Sequence, residues 1–199
     1  MVYGNSFEEQ VVVDVGMSNA DSAIFFANGG AIKVIGLEPH LESYKLAVAN
    51  IAANHLEDTI LPLNCGLSST TGTAGFVASK TSPNTGSLAF GSLVKAAEYT
   101  EVKTMSLENL MTEYGLAEID LLKMDCEGCE YLVLEKTPVH VLNRVREIIL
   151  EFHQGGTKLA HFLVSSGFSV TYEQEKLQGM LRARNLDSSW HVSLQREPM

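Results

Sequence analysis

The patterned part of the chain opens with Val11, Val12, Val13 and Val15, an apolar run interrupted only by Asp14 near its end. A continuous run of this kind is how a strand covered on both faces reads, and it predicts a buried parallel sheet. After a short loop, Ile24, Phe25 and Ala27 fall on a helical pattern that Gly29 and Gly30 terminate. A second strand over 31–38 (AIKVIGLE) ends at Glu38, and Pro39 breaks it. Leu41, Tyr44, Val48 and Ile51 then recur at steps of three and four, predicting one buried face of an amphipathic helix. Residues 59–66 (TILPLNCG) make a third strand, and the alternation of strand and helix predicts a doubly wound α/β fold.

From about Ser68 to Thr100 the chain is rich in Ser, Thr and Gly and loses its periodicity, which predicts a long functional loop with short strands at most. Order returns at Ser106, a helix cap, with Leu107, Leu110, Met111 and Tyr114 on one face and Gly115 as the stop. Residues 118–125 (EIDLLKMD) predict a fourth strand, about 129–135 a helix, and 145–153 (VREIILEFH) a fifth strand. A helix over 158–167 follows, and 168–174 (FSVTYEQ) with 190–195 (WHVSLQ) predict a closing antiparallel pair.

The composition narrows the function. A chain of 199 residues, 45% hydrophobic, fits one globular domain spanning 1–199. Its net charge of -10, with basic residues scattered, argues against nucleic acid and anionic membranes as partners. No apolar run approaches a bilayer span and the start carries no leader pattern, so a soluble, cytoplasmic protein is expected. Cys65, Cys126 and Cys129 are an odd count, from which no disulfide framework is expected. Cys126 and Cys129 form a C-x-x-C, for which zinc and redox roles are weaker readings than packing at a helix start.

In open α/β sheets the ligand sits beyond the carboxyl ends of the strands, anchored by the loop after the first one. That loop is Gly16, Met17, Ser18, Asn19, Ala20 and Asp21. A dinucleotide fingerprint would place glycine at Ser18 and Asp21 so that a pyrophosphate can approach the backbone, and only Gly16 matches. Glu38 at the tip of the second strand suits the ribose hydroxyls of any adenosine cofactor. A ligand without a pyrophosphate, such as S-adenosylmethionine, fits a loop with one essential glycine and polar side chains at Asp14, Ser18, Asn19 and Asp21. Alternatives are a turn glycine and a merely exposed strand end, an NAD(P)-dependent oxidoreductase, or a non-catalytic cofactor-binding module.

The stretches 11–27, 36–39, 61–72, 119–136 and 148–153, in this order and spacing, resemble the FkbM-type family of S-adenosylmethionine-dependent methyltransferases. The most specific piece is Lys123-Met124-Asp125-Cys126-Glu127-Gly128-Cys129-Glu130, which is similar to a K-x-D-x-E-G-x-E signature. The resemblance implies a Rossmann-like class I methyltransferase fold: a mostly parallel seven-stranded sheet with an antiparallel last strand and helices on both faces. It implies that Asp14, Gly16, Ser18, Asn19 and Asp21 hold the methionine part of the cofactor, Glu38 its ribose, and Asn64 and Cys65 the adenine edge. Family loops usually read D-x-G-A-N-x-G-D, so Met17 and Ala20 stand where smaller residues are usual. The short stretch before the first strand leaves the middle loop, or a partner subunit in a homo-oligomer, to close the pocket. The segment 82–88 (SPNTGSL) is expected to act as a lid.

Methyl transfer is an in-line displacement, so the protein has mainly to align an acceptor and exclude water. On this reading Asp125 orients a small-molecule, sugar-like hydroxyl, His153 takes its proton, and Glu127 lines the same rim. Each also has a structural explanation: carboxylates at 127 and 130 suit a helix start, Lys123 suits an ion pair, and His153 suits a hydrogen-bonded core. A divalent metal on Asp125, Glu127, Glu151 and His153 is chemically conceivable, and no metal is assigned.

Overall fold

The computed structural model describes residues 4, 6–78, 86–89 and 99–187. Its main sheet has seven strands, in the order β10 (Phe168–Tyr172), β11 (Gly179–Asn185), β9 (Val145–Phe152), β8 (Ile119–Met124), β1 (Val11–Val15), β2 (Lys33–Leu37) and β3 (Ile60–Leu63). β1, β2, β3, β8 and β9 run parallel. β11 is antiparallel to both β9 and β10. The class I methyltransferase arrangement expected from the sequence is therefore present, with one correction to its last pair. The partner of β10 is Gly179–Asn185, while residues 190–195 lie outside those described.

Alternation along each strand feeds two cores, one on each face. Val12, Val34, Leu121 and Ile149 pack with α1 (Asp21–Asn28) and α2 (Leu41–Ala53). Val13, Val15, Ile35, Leu37, Leu122 and Met124 pack on the other face with α3 (Leu107–Glu113), α4 (Cys129–Lys136) and α6 (Thr157–Ser165). A sheet buried on both sides is what the continuous apolar runs require. A short α5 (Val139–Leu142) connects α4 to β9. Ser106 caps α3 as expected, its hydroxyl accepting from the Asn109 amide at 3.2 Å. The buried side of α2 differs from the expected face: Ser43, Ala47 and Ile51 are buried, whereas Leu41 and Val48 are exposed. Small residues at steps of four let this helix lie close to the sheet, a stripe that a search for large apolar side chains passes over.

The described residues of the middle of the chain carry more strand than its composition suggests. β4 (Gly66–Leu67), β5 (Gly72–Ala78), β6 (Gly86–Ala89) and β7 (Thr100–Met105) form a second sheet in the order β4-β7-β5-β6. β7 reads Thr-Glu-Val-Lys-Thr-Met, and with a threonine, Thr104, as its buried residue it escapes an apolar-run search. Of the expected lid, residues 82–85 lie outside those described. No described helix is long and apolar enough to cross a membrane.

Met17, large for its position in the loop, is fully buried, with its side chain lying over Gly36 of β2. A Cβ on Gly36 would stand 2.2 Å from the Met17 sulfur, so the two residues are matched in volume. Met17 is therefore a core residue beneath the loop. Gly36→Ala should lower stability by about 1–3 kcal/mol through overpacking. Adding Met17→Ala should recover part of that loss, as a double-mutant cycle in chemical denaturation will show.

Candidate functional site

The carboxyl ends of β1, β2, β8 and β9 open on one edge of the sheet, and the sequence-predicted site residues gather there except Cys65, which is buried in the core. Asp14 and Lys123 are directly opposed in register on β1 and β8. Both are buried, and the Lys123 Nζ lies 2.9 Å from Asp14 Oδ1. The same ammonium donates to the Gly16 carbonyl at 2.9 Å, while the Ser22 hydroxyl at the start of α1 donates to Asp14 Oδ2 at 2.5 Å. Asp14 thus holds the loop from below, with a buried ion pair and a helix hydroxyl on its two oxygens. Gly16 has φ +74, and a Cβ there would stand 1.9 Å from the Asp125 carbonyl oxygen. Only glycine lets the loop pass so close to the end of β8.

Glu38 closes the loop from the other side. Its Oε2 accepts from the Ser18 amide at 3.0 Å and its Oε1 from the His40 amide at 2.8 Å. Burial pushes its carboxyl up, and these amide bonds with the nearby Lys123 partly offset that. Ser18 (φ 49) and Ala20 (φ 71) both sit in the left-handed region, so the loop makes without glycine turns that glycine makes freely. The Asn19 carbonyl accepts from Asn50 of α2 at 2.9 Å, and Asp21 Oδ1 accepts from the Ser22 amide at 2.7 Å. Asn64 donates to the carbonyls of Glu38 and Pro39, pinning β3 to the end of β2. Cys65 is buried in the core, its thiol pushed up to about 11 mainly by burial. Beside Glu38 lies a cavity of about 420 Å³ lined by Pro39, His40, Asn64, Phe76 and residues 100–103, with the His40 and Phe76 rings stacked at 5.6 Å.

A second group forms the opposite rim. The Asp125 amide donates to the Val15 carbonyl at 3.0 Å, and its half-buried carboxyl is raised chiefly by desolvation. His153 follows β9, with Nε2 3.2 Å from Glu127 Oε2 and Nδ1 3.7 Å from Glu130 Oε1. One donor atom each from Asp125, Glu127 and His153 lie within 4.8 Å of one another. Glu130 is fully buried, and its Oε1 accepts from the Cys126 amide at 3.1 Å. Its position as a helix-start carboxylate concealed this role in the sequence. The expectation of no disulfide is corrected: Cys126 and Cys129 are bonded to each other, with Cα atoms 5.5 Å apart. The four-residue turn between β8 and α4 brings the two thiols together, a proximity that an odd cysteine count does not reveal.

Lys123→Met leaves Asp14 buried without its counter-charge, and denaturation should register a loss of about 3–5 kcal/mol. Glu130 titrates above its unfolded range because burial disfavours the charge. Its contribution to stability is therefore fully present at acidic pH and is lost as pH rises through the raised value. Melting temperatures of Glu130→Gln should fall less from acidic to neutral pH than those of the parent.

The Methyltransferase FkbM domain family matches residues 14–173. Methyltransferase sdnD of Sordaria araneosa is 26% identical over 193 residues, covering 78% of this chain and 73% of that one. Among solved structures, an FkbM methyltransferase from Methylobacillus flagellatus superposes with a TM-score of 0.60 at 14% identity, over 89% of this chain. The chain spans 44% of the length of that protein. An rRNA methylase from Streptococcus thermophilus shares the fold with a TM-score of 0.54 at 12% identity, over 92% of this chain and 90% of its own. A nicotinamide oxidoreductase is not favoured by these relatives, and the methyl donor is S-adenosylmethionine. With its signature segment on the rim beside the first loop, the chain belongs to the FkbM family of methyltransferases.

Proposed function

We propose that the protein transfers a methyl group to a hydroxyl oxygen of a small, sugar-like molecule in the cytoplasm. The observation that carries this reading is the convergence of Asp125, Glu127 and His153, within 4.8 Å of one another, beside the first loop. The residues present fit S-adenosylmethionine. Glu38 is a buried carboxylate with lone pairs left for ribose hydroxyls, and the adjoining cavity of about 420 Å³ is of ligand size. Gly16, Ser18, Asn19 and Asp21 would hold the methionine part, Asp14 would support them from below, and Asn64 and Cys65 would border the adenine. When bound, the cofactor supplies an electrophilic methyl carbon on a sulfonium.

The chain's own residues have two tasks. Asp125 orients the acceptor hydroxyl, and its partial burial makes the carboxylate a stronger acceptor of that hydrogen bond. His153 takes the proton at Nε2, and the imidazolium formed is balanced by Glu127 and Glu130, which flank the two ring nitrogens. A net charge of -10 disfavours phosphate-rich acceptors, which supports a small molecule over RNA.

The same cluster favours one second reading, a divalent cation held by two carboxylates and an imidazole that would take over acceptor orientation. Methyl transfer from labelled cofactor to a panel of hydroxyl, amine and RNA acceptors tests the proposal. Transfer to a hydroxyl should fall by roughly 10²-fold or more in Asp125→Asn and His153→Ala. Glu38→Ala should weaken the cofactor by about 1–3 kcal/mol. Transfer to RNA or amines alone, or rates indifferent to both rim substitutions, would contradict it. Loss of transfer on chelation, restored by magnesium or manganese, would establish the cation reading.

A further inference from the structure

We infer that the Cys126–Cys129 pair is a thiol–disulfide exchange site, served by a dithiol reductant, that sets the position of Glu127 on the acceptor rim. The bridge lies inside the signature segment: Asp125 immediately precedes it, Glu127 and Gly128 are enclosed by it, and Glu130 immediately follows. The two sulfurs are placed differently. Cys126 is half-buried and stands before the helix, whereas Cys129 is buried in the first turn of α4. A thiolate at that position is favoured by the helix N-terminus, which makes Cys129 the better leaving group.

Exchange then has a defined order. A thiolate of the reductant attacks Cys126 Sγ, the bond between the cysteines breaks, and its electron pair leaves on Cys129 Sγ. The second thiol of the reductant displaces Cys126 from the mixed disulfide, so the reductant ends as its own disulfide and two protons end on the protein thiols or in solvent. Glu130 Oε1 lies 3.4 Å from Cys126 Sγ, within hydrogen-bonding reach of the thiol that exchange releases.

Opening the bridge reaches the rim through Glu127. Within the closed ring Glu127 has φ 56 and Gly128 φ 111, and Glu127 Oε2 meets His153 Nε2 at 3.2 Å. A left-handed conformation is costly for a residue with a Cβ and persists where the surroundings impose it. Reduction removes that constraint, Glu127 relaxes, and His153 loses the carboxylate that faces its Nε2. Glu38 holds the first loop through the Ser18 and His40 amides, and Gly16 meets the bridged segment at the backbone of Asp125 and Cys126, where the Asp125 amide is held by the Val15 carbonyl, so cofactor binding is unaffected. The effect on transfer rests on the methyltransferase reading, while the exchange itself does not.

The purified protein, equilibrated in graded ratios of reduced to oxidised dithiothreitol and then alkylated, tests both parts. Buried Cys65, with its raised thiol, stays silent in the native protein. Mass spectrometry should show Cys126 and Cys129 becoming alkylated together, and the His153 ring resonances should shift over the same range of ratios. In the Cys126→Ser/Cys129→Ser variant those resonances should stay at the reduced position in every buffer. Two free thiols under full oxidation, or reduction without any movement of His153, would overturn the inference. So would a loss of S-adenosylhomocysteine affinity on reduction, because the bridge would then act on the cofactor site. If S-adenosylhomocysteine binds neither form while His153 still follows the thiols, the exchange site is supported and the methyltransferase reading fails.

Discussion

The site depends on one ion pair made in the wrong place for an ion pair. Asp14 and Lys123 face each other across β1 and β8 on a side of the sheet otherwise lined by Val12, Val34 and Leu121. Charges buried this deeply are tolerated only when each is paired and its remaining hydrogen-bonding capacity is used. Ser22 supplies the missing donor to Asp14, and the Gly16 carbonyl supplies an acceptor to Lys123. Satisfying the pair therefore fixes the start of α1 and the first loop to the same strands. Electrostatic necessity in the interior thus becomes geometry at the surface.

The remaining features divide along the same line. On the first-loop side, Glu38 and the Leu37 carbonyl hold the amides of residues 16–18, and Met17 plugs the gap above Gly36. These contacts give a rigid cradle in which the backbone conformation is over-determined, even at Ser18 and Ala20. On the rim side the constraints are fewer. Glu127 is exposed and held by the ring of the disulfide and by His153. A firmly held first loop thus faces a rim that is held by fewer contacts.

Much of this was legible in the residues. The apolar runs of β1, β2, β8 and β9 gave the parallel sheet because burial on both faces leaves little room for polar side chains. The placement of Gly16, Glu38 and Asp125 just beyond the ends of β1, β2 and β8 was legible because each follows directly on an apolar run. β7 was missed because it is half exposed and polar, and β11 because its Arg and Asn residues break the apolar pattern of a covered strand. The face of α2 was misread because Ser43 and Ala47 pack by smallness rather than by apolar area. Glu130 and the cysteine bridge depend on a turn conformation, set by left-handed Glu127 and Gly128, that no periodicity encodes. Met17 looked anomalous only because its partner, Gly36, is nineteen positions away in sequence and adjacent in space.

Calorimetric titration of the purified protein with S-adenosylmethionine and S-adenosylhomocysteine, with NAD as the control, tests the central claim that this cradle is built for a methyl donor. Saturable binding of the first two with no heat from NAD is the result predicted. Binding of NAD alone, or silence from all three ligands in a folded protein, would contradict it.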